Sequence, residues 1–454
     1  MRQRGRDTSP HIPFIVTGLA FALLGGFTLA ISMPVEALFG LGARSWVAHA
    51  QAHGHLQTVG FVALMIVGVS YHLMPAFEGR PIAQDRLATP SLYLLAGGVL
   101  FRVIGQPLAR FELFAGMAML GSWLELAGAL CFATIVLGTL RPGLLRGDAM
   151  PPFFAAGATW FAVQAALGAW WVTAAALDGA PAIPFDQDGV LVTLQLFGFA
   201  LLFILGVGVR SFPVFFAIAR FGFAAVAVPF ALWQAGLAAY TASVLLPALP
   251  SWVTMGAALV LLGIGIGWCT LRTGWYRPPS RIRPASRPFA LPLQMALAWL
   301  TFASVVMVGL GLWMFVAQAL PMATKLDAVR HIVAVGVVLT TIVAMAQLVL
   351  PEFASERFEG TQGAWRGILL GALLSLAVVL RAGSRWWAEA LSGDLVNLSM
   401  ALGGTIAMGV MAAFAFLYVR SVRNHRALLQ RFAEMSATNT NWTIRQTGPG
   451  NRRS

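Results

Sequence analysis

The sequence predicts an all-α membrane protein of twelve transmembrane helices, used as three four-helix pseudo-repeats. Three observations lead there. The 454 residues are 58% hydrophobic and only 10% charged, with a mean hydropathy of +0.77, whereas soluble chains carry about 25% charged residues. The apolar residues gather in runs of about 20, the length a helix needs to cross roughly 30 Å of hydrocarbon, and not in the short alternating strands of an outer-membrane barrel. One such run also recurs at a fixed interval of 138 residues.

Taken in order, the first half offers Pro13–Ser32, His55–Met74, Thr89–Gln106, Ala115–Leu137, Phe153–Leu177 and Val190–Phe212. The second half offers Phe223–Leu245, Trp252–Leu271, Leu293–Ala319, Val329–Leu350, Trp365–Leu380 and Leu398–Val419. The opening "MRQRGRDTSPH" is basic, but no small-residue cleavage site follows the first run, which reads as a retained helix rather than a signal peptide. Cys131 and Cys269 lie inside apolar runs and form neither a disulfide framework nor a Cys-x-x-Cys motif. Gly-rich stretches such as "LLGIGIGW" read as helix-packing faces, and no phosphate-binding loop is present.

The net charge of +13 is distributed in a way that excludes a nucleic-acid partner and selects the lipid bilayer. Twenty-three of the 30 basic residues fall on the side that carries both termini, and six on the other. The positive-inside rule therefore places both termini in the cytoplasm of a bacterial-type inner membrane. The basic tail, 421–454, lacks a continuous basic block and reads as flexible, solvated or headgroup-facing.

Laying 55–77 over 193–215 matches Leu56 with Leu194, Gln57 with Gln195, Gly60 with Gly198, Phe61 with Phe199 and Pro75 with Pro213. A second step of 138 lands on 331–353 and matches His55 with His331, Gly60 with Gly336 and Pro75 with Pro351. The whole chain then reads as one polytopic domain with repeats at 12–140, 151–272 and 291–420. A period of one third of the chain argues against the two six-helix halves of major-facilitator transporters.

Three of the seven histidines sit in the second run, "HGHLQTVGFVALMIVGVSYHLMPAF". His55 and His331 occupy equivalent repeat positions at matched depth near the outer face, with Thr193 at the third. Two imidazoles across a gap make a low-spin heme site, and ionisable groups inside a membrane are functional candidates by default. The expected pair is therefore His55 and His331, with Arg381 and Arg385 in "LRAGSRWWAEAL" placed for the propionates. Set against this are water-satisfied interfacial histidines and an ordinary Arg/Trp interfacial belt that includes Trp386 and Trp387. Residues two apart on a helix point about 200° apart. His53 is thus expected to face away from His55, and a His53→Ala change to leave the heme site intact. His49 and His53, four apart, share a face that would suit copper or zinc with further ligands, or simply solvated helix-end polarity. His72, matched by Arg210, reads as an interfacial anchor. Glu125, mid-span in "GSWLELAGALC", needs a partner or a proton, and reads equally as part of a proton path or as a neutral hydrogen-bonded carboxyl.

These residues carry a resemblance. "HGHLQTVGF", with Pro75 twenty residues after His55, resembles the His-Ala-His-Glu-Met…Gly-Phe opening of NnrS family proteins. "VRHIVAVGVVLTTIVAMAQ" resembles their later helix. The chain differs in lacking the tryptophan before the first histidine and the glutamate after the second, and in having "LPEFASER" after the later helix. The resemblance implies a heme- and copper-containing membrane protein of nitric oxide metabolism, distantly similar to heme-copper oxidase subunit I, with His53, His55 and His331 as candidate metal ligands. It implies one low-spin heme b used for electron transfer, sensing or protection, with a quinol or periplasmic cytochrome as electron donor. Three four-helix units are also the plan of the oxidase catalytic subunit. An oxidase or nitric oxide reductase subunit is the alternative, but its second metal centre needs histidines from the sixth and seventh helices, and neither Val190–Phe212 nor Phe223–Leu245 contains one. A cofactor-free transporter or channel on the same frame is the remaining reading.

Overall fold

The computed structural model describes residues 11–41, 46–246, 250–282, 290–346 and 364–446. Among these, twelve helices are long and apolar enough to cross a membrane. The first six are α1 (His11–Leu38), α2 (Trp46–Glu78), α3 (Asp85–Leu108), α4 (Glu112–Leu145), α5 (Met150–Leu177) and α6 (Phe185–Phe215). The others are α7 (Ala227–Leu245), α8 (Ser251–Arg272), α9 (Ala290–Ala317), α10 (Ala323–Ala346), α11 (Gly367–Trp386) and α12 (Gly393–Asn424). Each of the twelve expected spans has a counterpart, though residues 347–350 of the tenth, and Pro351 of the third repeat match, lie outside the described residues. Beyond α12 the helix continues to Gln446, where the sequence reading has a flexible tail. The stretch "RALLQRFAEM" is rich in good helix formers, and neither glycine nor proline interrupts it before Gly448.

Helices α2, α6 and α10 form the interior, buried over 72%, 83% and 67% of their apolar windows, against 33–50% for the other nine. The nine outer helices follow one another in chain order around them, and α12 closes against α1. The seam between α5 and α7 is bridged by Trp160 Nε1 donating to Gln234 Oε1 at 2.7 Å and by Phe153 against Phe230. Between α4, α5 and α6 the core is aromatic: Phe132, Phe161, Phe199 and Phe203 meet at ring-centre distances of 4.3–6.2 Å.

Each interior helix widens into a π-helical stretch, at Leu56–Ala63, Leu194–Ala200 and Ile332–Leu339. The starting residues 56, 194 and 332 are separated by the same 138 residues as the sequence matches. One glycine in each stretch lets an outer helix lay an aromatic stem on the backbone: Phe21 on Gly60, Trp160 on Gly198 and Trp299 on Gly336. A Cβ at these glycines would stand 3.0–3.3 Å from the Cβ and Cγ of the aromatic residue, closer than ordinary side-chain contact. Single π turns inside α-helices are frequent at functional sites, and the candidate site lies beside two of these three.

Candidate functional site

The structure brings His331 together with His53, not with His55. The two imidazole rings stand 6.5 Å apart, centre to centre, with planes only 4° from parallel. His53 Nδ1 donates to the Gly26 carbonyl of α1 at 2.8 Å. His331 Nδ1 donates to the Asp327 carbonyl one turn earlier at 2.9 Å and lies 3.1 Å from the Asp327 carboxylate. A carbonyl can only accept, so each ring carries its proton on Nδ1 and leaves Nε2 with a free lone pair. No hydrogen-bond partner engages either Nε2 among the described residues. The π-helical stretch Ala22–Gly26 ends at the accepting residue. A Cβ at Gly26 would come within 2.6 Å of the Gln57 amide, so a larger residue there would displace the Gln57 side chain.

Both rings line a small cavity of about 80 Å³, well below the size of a cofactor site as it stands. Its walls come from α1, α2, α6, α10, α11 and α12, and include Gln57, Thr58, Arg381, Gly403 and Gly404. Arg381 lines the cavity; Arg385 and His49 do not. Both arginines grip one oxygen, Asp327 Oδ2, from Arg381 Nη1 at 3.1 Å and Arg385 Nε at 3.0 Å. Two guanidinium charges against one carboxylate leave the rim net positive beside the cavity. Lys325 extends this cluster, meeting Glu389 at 3.2 Å and the Trp386 carbonyl.

His55 points elsewhere. Its Nε2 donates to Glu125 Oε1 of α4 at 2.7 Å, both side chains being almost fully buried. Glu125 Oε2 lies 3.5 Å from Arg102 Nη1 of α3. The expected partnership of His55 with His331 is therefore corrected, and the expectation that His53 faces away from the site is reversed. The physical reason is rotational. Residues two apart on α2 point about 200° apart, so with His55 turned to Glu125 of α4, His53 is turned to the side where His331 stands.

Asp327 and Gln57 are residues the sequence reading missed. The i, i+4 spacing of Asp327 and His331 was the available signal for the first. Gln57 sits one turn after His53 on the cavity face, and its buried Nε2 has no hydrogen-bond partner among the described residues. His72, expected as an anchor, packs against His11 with ring centres 4.4 Å apart. For the copper expectation, no group of three or more His, Cys, Asp and Glu side chains is gathered for a metal ion among the described residues. His53 is turned to His331 rather than shared with His49.

Does the histidine pair fit a heme? An imidazole nitrogen binds a transition metal at about 2 Å, and the ring centre lies about 1 Å beyond the nitrogen. Two opposed ligands then have centres about 6 Å apart, close to the 6.5 Å observed. Metal-binding histidines also donate from the far nitrogen to a fixed acceptor, as both rings do here. The residues fit. No known family and no curated protein matches the chain.

Proposed function

We propose that the chain is an NnrS-like membrane heme protein that holds one heme b between His53 and His331 and works in electron transfer. The observation that carries this reading is the parallel, backbone-tethered pair of imidazoles over a cavity. Gly26 and Asp327 fix the tautomer and rotation of the two rings, so little ordering is left to be done on binding. Arg381, at the cavity rim, offers its charge to an anionic group there, with Arg385 and Asp327 holding it in place. The cofactor would supply reversible one-electron chemistry. Histidines on both sides favour electron transfer over gas chemistry, which needs an open position on the metal.

The same reading places the chain among proteins with a heme-copper oxidase-like arrangement of three four-helix units. The 138-residue spacing of the π stretches and the outer ring in chain order support it. It also puts the termini in the cytoplasm, on the asymmetry of basic residues, with the histidine pair toward the outer side of a bacterial inner membrane. A quinol or a periplasmic cytochrome is then the class of electron donor, and nitric oxide metabolism the setting.

Electron paramagnetic resonance of the oxidised, purified protein tests the reading. Near-parallel imidazole planes give a rhombic low-spin spectrum with three resolved features, whereas perpendicular planes give a single feature at large g. A protein produced with ample heme supply that purifies without heme would sink the proposal.

A further inference from the structure

Arg102, Glu125 and His55 have side chains only 3–6% exposed, within spans α3, α4 and α2. A buried ionic cluster is weak evidence for stability, because apolar replacements are often neutral or better. Its presence inside a membrane asks for a role.

Its placement on α2 suggests one. Gln51 lies one turn before His55 and shares its face. Its Nε2 donates to the Ile183 carbonyl at 2.8 Å, while its Oε1 accepts from Gln106 Nε2 at 2.8 Å and from the Ile183 amide at 3.0 Å. Gln106 in turn accepts from Arg102 Nε at 3.3 Å. One face of α2 is therefore pinned twice, by polar contacts to α3, α4 and the segment before α6. The opposite face, about 200° away, presents His53 and Gln57 to the cavity. The pins sit just ahead of the π-helical stretch that begins at Leu56, so they act on the turns that carry His53. The backbones bearing the pair are also held close: a Cβ at Gly121 would lie 2.5 Å from the Arg102 nitrogen.

We propose that Arg102 and Glu125 are positioning residues: their ion pair clamps His55, fixes the rotation of α2 and thereby holds His53 toward His331. The role depends on the histidine pair described above but not on any occupant of the cavity, so it is testable with the cavity empty or filled.

The test uses full-length protein in native membranes with Cys131 and Cys269 replaced by alanine. One reporter carries His53→Cys with His331→Cys, and a second carries Ala30→Cys with Gly404→Cys. The second reads the contact of α1 with α12, where a Cβ at Gly404 would stand 3.4 Å from the Ala30 carbonyl oxygen. Each pair is treated with a short bifunctional thiol reagent, with and without Arg102→Met/Glu125→Leu. That double replacement leaves no stranded charge, which protects folding. Linking of 53 to 331 should fall about tenfold as α2 samples other rotations, while 30 to 404 stays unchanged. Glu125→Gln, which keeps an acceptor for His55 but breaks the ion pair with Arg102, should lower the 53–331 linking as well, by less than the double replacement. Unchanged 53–331 linking in the double replacement would overturn the proposal. Parallel loss of both pairs would overturn it too, making the cluster general support for the bundle. Absence of heme from the unaltered protein would defeat the cofactor reading alone and leave the linking result standing.

Discussion

Replacing Glu125 with leucine strips the carboxylate that pairs with Arg102 from a buried site, leaving Asp188 as a second acidic group that acts on the same arginine. At 3.5 Å between Arg102 Nη1 and Glu125 Oε2 and an effective dielectric of about 20, their attraction is about 5 kcal/mol. Both side chains are more than nine-tenths buried, so solvent screens little of this. Removing one partner also leaves the other desolvated and uncompensated, which costs about 3–5 kcal/mol in known cases. The same change takes the acceptor from His55 Nε2. Glu125→Leu should therefore destabilise the bundle by about 3–5 kcal/mol, while Arg102→Met/Glu125→Leu should recover most of that loss. Reversible unfolding in mixed detergent micelles, run as a double-mutant cycle, reads the coupling directly. A single-replacement loss below about 1 kcal/mol, the range of a solvent-exposed pair, would refute the burial and contact argued for this cluster.

Three further outcomes follow from the same contacts. Gly121→Val places a side chain 2.5 Å from the Arg102 backbone nitrogen and 2.7 Å from the Gly98 carbonyl. Since neither is a flexible end, α3 and α4 must part, and folded yield should drop with a cost of about 1–3 kcal/mol or more. Gln51→Leu leaves the Ile183 carbonyl and the Gln106 amide without their partner, a loss of about 1–3 kcal/mol in the same unfolding assay. Reporter fusions joined after Arg420 should be active only in the cytoplasm, and those in the "DGAPAIPFDQD" loop only outside; the opposite pattern would reverse the orientation drawn from 23 against 6 basic residues.

The twelve spans were readable because a membrane imposes length and apolarity on every crossing segment, and both are written linearly in the chain. The 138-residue step was readable for a similar reason: glycines such as Gly60, Gly198 and Gly336 mark places where a neighbouring aromatic rests on the backbone. Which histidine faces which was not readable. That depends on helix azimuth, and the matched sequence positions of His55 and His331 led to a pair that the structure does not bring together. Glu125 stood out as a charge in mid-span, but its partners lie on two other helices, 23 residues before it at Arg102 and 70 before it at His55. No local pattern announces such a meeting. Arg381 and Arg385 were expected in an outer loop but lie in α11, while Asp327, which binds both, carried a signal only through its spacing to His331.

The central claim is that His53 and His331, and not His55, present the two nitrogens of the site. The most direct measurement is the oxidised optical spectrum of three purified variants beside the unaltered protein. His53→Ala and His331→Ala should each lose the low-spin bands, with the heme released or shifted to a high-spin form. His55→Ala removes no facing imidazole but unclamps α2, so it should keep the low-spin bands at reduced heme occupancy. A low-spin spectrum that survives His53→Ala and vanishes in His55→Ala would contradict the account.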